Sequence, residues 1–146
     1  MQPLLERLRR LLPGLWLGWL LCVALLATPA PFATLLPSDA ARVVARMLAQ
    51  EAGTALVLGA ILLLLERRAV RAGGPQFTAA MGLVLGAVFC TVAGYYALQP
   101  MMAAARAGQG ALSFGQLHAI SAAFYVLKTV LVAVLAWRGL SRPASS

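Results

Sequence analysis

Acidic residues are nearly missing from this chain: four Asp and Glu stand among 146 residues, against 12 Lys and Arg. Charge of either sign makes up 11% of the sequence while 62% is hydrophobic, and that is too little charge to coat a water-soluble globule of this size. Cysteine is equally scarce, with two residues, which excludes a disulfide framework. A single histidine, His118, excludes paired axial histidines for a haem within one chain. No zinc-ligand spacing, phosphate-cradling glycine loop or serine–histidine–acid set occurs. No cofactor, no metal and no enzymatic activity are therefore expected.

What the chain does have is apolar sequence in blocks, at about 12–36, 47–66, 78–98 and 116–138. Each block approaches or exceeds the roughly 20 residues that cross about 30 Å of hydrocarbon as a helix. The second is the weakest, because Gln50 and Glu51 interrupt its start. In lipid only helices and closed barrels satisfy every backbone group, and these blocks are far too long for barrel strands. The sequence thus predicts an all-α, integral membrane four-helix bundle. Residues 1–146 form a single transmembrane domain of two helical hairpins in a lipid bilayer.

The basic excess carries orientation. Arg7, Arg9, Arg10, Arg67, Arg68, Arg71, Arg138 and Arg142 fall on one side of such a bundle, while Arg42, Arg46 and Arg106 fall on the other. By the positive-inside rule both the N and C termini are expected to be cytoplasmic, with the cations near anionic headgroups. No basic stretch carries a nucleic-acid-binding motif, so no nucleic acid is expected as a partner. The first block has the outline of a secretory leader, with small residues around Ala30. Pro31 follows the one suitable cleavage position, however, and the apolar run continues through Leu36. A retained helix is expected.

Turn signals divide the blocks. Pro29, Pro31 and Pro37 predict a kink and then an end to the first helix. Ser38 is the expected N-cap of a second helix of about 30 residues, with Asp39 in its first turn. Ala72-Gly73-Gly74-Pro75 is the strongest turn in the chain. The third helix is expected to stop near Pro100, and a loop over 103–113 to lead into the fourth.

A nine-residue pattern, Gly-Leu-x-Leu-Gly-x-x-x-Cys, occurs as Gly14, Leu15, Leu17, Gly18, Cys22 and again, 68 residues later, as Gly82, Leu83, Leu85, Gly86, Cys90. Gly94 extends the second stripe. Glycines four apart leave a smooth face that another helix can approach closely, so the first and third helices are expected to pack through Gly14, Gly18, Cys22, Gly82, Gly86, Cys90 and Gly94. Both cysteines then act as small space-fillers.

Ionisable groups inside spans are costly and are functional candidates by default. Glu51, His118 and Lys128 qualify. Glu51 and His118 are expected at the outer leaflet, close enough to meet, with Ser121 on the same face as His118 one turn deeper. Such a group fits a hydrogen-bonded clamp, a proton relay or ligand site, or an interfacial histidine. Lys128 is expected near mid-span, facing a partner, a polar cavity or a second subunit.

Leu15-Trp16-Leu17-Gly18, Ala30-Pro31-Phe32, the long second helix, Pro100 followed by Arg106, and Phe114-x-x-Leu117-His118-x-x-Ser121 form an ordered set of landmarks. Over roughly residues 10–140 the chain resembles the bacterial membrane family called domain of unknown function 4149, similar to the eukaryotic transmembrane protein 205. Where the eukaryotic relatives carry asparagine, seven residues after the histidine, this chain has Tyr125. The resemblance implies a four-span, multi-pass protein of the bacterial inner membrane with no defined activity, and marks His118 and Ser121 for testing. Two functions are expected to compete. One is a non-enzymatic assembly or accessory protein, partnered by a second copy or another membrane protein. The other is a small transporter or metal-handling protein with a polar path at Glu51, His118 and Lys128.

Overall fold

The computed structural model describes residues 2–71, 73 and 76–141, all helix and connecting turn, with no strand among them. Four helices are long and apolar enough to cross a membrane: α1 over Leu4–Thr34, α2 over Pro37–Arg71, α3 over Ala79–Arg106 and α4 over Phe114–Leu140. They are longer at most ends than the apolar blocks imply, because polar residues continue the helices beyond the hydrocarbon.

The first helix ends at Thr34, before Pro37, as expected, whereas Pro100 does not end the third. Pro29 and Pro31 lie within the continuing α1, and Pro100 within α3, which runs on to Arg106. In both cases a π turn comes first, Val23–Ala27 in α1 and Val92–Ala97 in α3. The wider i→i+5 turn takes up the donor and the space that a proline removes, so the helix bends instead of ending. Likewise α2 begins at Pro37, whose fixed φ and missing donor suit a first helical position; Ser38 is inside the first turn and is not the cap. The α3–α4 link is correspondingly short, with Gly108 and Gly110 at φ 73° and 103°, a region that glycine reaches at little cost. Ser113 and Gln116 then form a reciprocal capping box that starts α4. Of the Ala72–Pro75 turn, residues 72, 74 and 75 lie outside the described residues, as does Arg142.

Each helix packs on its two neighbours: α1 against α2 and α4, α3 against α2 and α4. The first and third helices therefore face each other across a diagonal, and the twin glycine pattern does not join them. On α1 the inward stripe is Pro13, Trp16, Leu20 and Val23. Gly14, Gly18 and Cys22 point outward, and nothing lies within 4 Å of where a Cβ would sit on either glycine. The physical reason is rotational: spaced by three and four, large residues hold one face, whereas a strict four-residue stripe winds about 40° per step around the helix. On α3 the same winding splits the pattern. Gly82 lies beside Phe77 and Gly86 beside Leu131 at its edge, while Cys90 and Gly94 are buried. Gly94 faces Phe124 so closely that a Cβ would overlap that side chain. A glycine outside the pattern, Gly59, performs the same service, seating Val88 and Trp16 against α2.

The main core gathers Trp16, Leu20, Ala55, Leu62, Val84, Ala87, Val132 and Leu135. A second, smaller one of Leu98, Met102 and Leu117 closes the end away from the chain termini. The indole N–H of the fully buried Trp16 has no hydrogen-bond partner among the described residues.

Candidate functional site

Lys128 and Glu51 form the most deeply placed polar site in the bundle. At 1.5 Å per residue, Lys128 lies about 15 Å from Arg138 and about 22 Å from Ser113, near the middle of α4. Glu51 lies about 21 Å along α2 from Pro37, deeper than a span beginning at 47 implies. The Lys128 ammonium donates to both Glu51 carboxylate oxygens, at 2.8 Å to Oε1 and 2.9 Å to Oε2. Each side chain is 3% exposed. The pair spans the second diagonal, joining helices that are not neighbours. Lys128 Nζ also lies 4.7 Å from the Tyr125 ring centroid, where the ring's negative face adds to the attraction.

Tyr125 and Ser121, one turn apart on α4, bind the bundle in a second way. The Tyr125 hydroxyl donates to the Leu20 carbonyl of α1 at 2.9 Å, and the Ser121 hydroxyl to the Gly94 carbonyl of α3 at 2.6 Å. Gly94 is inside one π turn and Leu20 just precedes the other. Widened turns weaken the i→i+4 ladder and leave carbonyls for outside donors, and α4 supplies a hydroxyl to each bent helix. In hydrocarbon, each such bond spares a polar group from going unmatched.

Glu51 and His118 do not meet. His118 is exposed near the start of α4, its ring stacked on Phe114 with centroids 6.0 Å apart and planes 19° from parallel. The Arg106 guanidinium lies 4.4 Å from the Phe114 centroid. The expected carboxylate–imidazole pair fails because helical depth set from the apolar blocks places Glu51 too shallow. It also fails because Glu51 faces the diagonal, where Lys128 reaches it. Met101 is exposed and Met102 is core, and no group of three or more His, Cys, Asp or Glu that could hold a metal occurs among the described residues.

A further polar cluster, at the end that carries the termini, escapes the sequence reading. Arg9 Nε donates to Glu66 Oε1 at 2.9 Å, and its Nη2 lies 2.8 Å from the same oxygen. The Thr78 hydroxyl donates to Glu66 Oε2 at 3.2 Å while accepting from the Met81 amide at 3.1 Å, which caps α3. Glu66 is buried although it adjoins Arg67 and Arg68, neighbours that make it read as a solvated acid. The usable signal is its spacing: Glu66, Leu62, Gly59 and Ala55 share the buried face of α2 at three- and four-residue steps.

Four apolar helices enclosing a diagonal ion pair define a multi-pass membrane protein. The chain matches the family model described as domain of unknown function (DUF4149) over residues 11–111. It belongs to that family. The match takes in α1 to α3 and ends before α4, so His118, Ser121 and Lys128 stand outside the matched residues. No curated protein and no solved structure matches the chain.

Proposed function

We propose that this protein is a non-enzymatic assembly or accessory protein of the bacterial inner membrane, acting through helix packing, with both termini in the cytoplasm. The observation that carries the reading is the closure of the Glu51–Lys128 pair. Each partner is satisfied by the other and both are sealed from solvent and lipid. Ser121 and Tyr125 are likewise committed to backbone carbonyls of other helices. Polar groups so consumed hold helices together. A transport path through Glu51, His118 and Lys128, the competing reading, needs His118 in line with the pair, and His118 is exposed and stacked on Phe114 instead.

The test is complementation of a deletion strain by Glu51→Gln/Lys128→Met, which keeps volume and removes both charges, and by His118→Ala. Growth is scored across metals, pH and envelope stress. Full complementation by both folded variants is expected. Loss of function in the double variant, with normal folding and membrane level, overturns the packing role in favour of transport. Orientation is read separately: a C-terminal reporter active in the periplasm refutes the cytoplasmic assignment that the arginine distribution supports.

A further inference from the structure

Acidic residues stop at Glu66: no Asp or Glu occurs in α3, in α4 or in the link between them. Glu51 is engaged with Lys128, Glu66 with Arg9 and Asp39 with Arg42, while Glu6 lies at the opposite end, near the N-terminus. Arg106, at the end of α3, has no ion pair or hydrogen bond among the described residues, and neither has His118. Arg106 is also on the side with few cations, where the orientation rule gives no reason for it.

One aromatic ring organises both residues. The Arg106 guanidinium carbon lies 4.4 Å from the Phe114 centroid, and the His118 ring is stacked on Phe114 at 6.0 Å. Ring contacts of this kind use no N–H, so the donors of both side chains remain to be matched. The two groups are no farther apart than those distances together, a gap that one phosphate closes by accepting from each.

Depth and surroundings indicate where such a phosphate comes from. His118 lies about 30 Å along α4 from Arg138, which is one hydrocarbon thickness. With Arg138 at one headgroup layer, His118 stands at the other. Toward the bilayer centre on the same face, Ala122 and Val126 are exposed, an apolar strip along which an acyl chain can lie. Donors above an apolar strip fit an amphiphile better than a free ion. A zwitterionic headgroup adds an ammonium that no acid of α3 or α4 answers, so charge complementarity favours a headgroup that is negative overall.

We infer that Arg106 and His118, positioned by Phe114, bind the phosphate of an anionic phospholipid at the end of the bundle away from the termini. This goes beyond the packing role proposed above and does not rest on it.

His118 is the only histidine of the chain, so its imidazole resonances report on this site alone. The test is magnetic resonance of full-length, tag-free protein, isotopically labelled at histidine, in maltoside micelles titrated at constant pH with phosphatidylglycerol. Wild type is expected to show a shift that saturates at one lipid per chain. Phosphatidylethanolamine is expected to bind about fivefold more weakly, and Arg106→Gln to weaken phosphatidylglycerol by about the same factor, the attraction of one basic residue for an anionic lipid surface. Phe114→Leu keeps both donors and is expected to weaken binding comparably. Arg46→Gln, which removes an exposed arginine of α2, is expected to change nothing. A shift that never saturates, equal binding of the two lipids, no loss from Arg106→Gln, or an equal loss from Arg46→Gln overturns the proposal. Saturation by inorganic phosphate alone overturns the lipid assignment and leaves a free anion as the ligand.

Discussion

Lys128 and Glu51 are 77 residues apart in sequence, and their charged atoms meet at 2.8 Å across the diagonal of the bundle. Burying either charge alone is costly, and the attraction between the two offsets that cost only while both are present. Lys128→Met alone is therefore expected to lower unfolding stability by about 3–5 kcal/mol, and Glu51→Gln by a similar amount. The double replacement should recover much of the loss, because two neutral side chains of similar volume leave no charge stranded. Thermal or denaturant unfolding in detergent checks this; strictly additive losses would show that the two residues act independently.

Gly94 and Gly18 make an informative comparison, since both belong to the small-residue stripes of α3 and α1 and differ in what faces them. Gly94→Ala drives a methyl into Phe124, and overpacking of this kind costs about 1–3 kcal/mol. Gly18→Ala meets nothing and gains helix propensity, for which the scale is about 1 kcal/mol at most. A melting temperature lowered by Gly94→Ala and unchanged or raised by Gly18→Ala is the expected result. The reverse order would place the glycine pattern of α1 inside the bundle.

On α4, Ser121 and His118 should separate in the same assay. Ser121→Ala deletes a hydroxyl bonded to the Gly94 carbonyl and is expected to cost about 0.6 kcal/mol, the average for such bonds between membrane helices, and at most about 1.7 kcal/mol. His118→Ala removes an exposed ring and should stay within about 0.5 kcal/mol of wild type. Equal losses at the two positions would mean that His118 is engaged with something in the protein.

Near the termini, Glu66→Ala strips a carboxylate from both Arg9 and Thr78. Arg9 is 18% exposed, so solvent softens the loss, and about 1–3 kcal/mol is expected, short of a fully buried pair. The exposed Arg42–Asp39 pair serves as the control, with a change under about 1 kcal/mol for Arg42→Ala. Comparable losses from Glu66→Ala and Arg42→Ala would contradict the role given to Glu66 in joining α1, α2 and α3.

Helix number and order were legible because lipid leaves few options: a long apolar run must span, and its backbone must be satisfied within itself. Helix ends were less so. Pro100 reads as a stop, and nothing in Val92–Ala97 announces a π turn that absorbs it. The rotational phase of each helix was least accessible. Glycine spacing marks a smooth face without saying whether protein or lipid covers it, so Gly14 and Gly94 look alike in sequence and sit in opposite surroundings. At the site, mid-span Lys128 demanded a partner, but Glu51 could be chosen over His118 only once the diagonal arrangement was known. Glu66 was hidden by the arginines beside it.

The long sequence separation of the buried pair has a consequence for how the protein is made. Glu51 emerges during synthesis well before Lys128, on a helix already apolar enough to enter the membrane. Through that interval no other basic residue of α1 to α3 stands at its depth, so a chain interrupted before residue 128 carries a bare acid into the bilayer. Arrival of the last helix both completes the bundle and neutralises that mark. A truncated copy is thereby distinguishable, within the membrane itself, from a finished one.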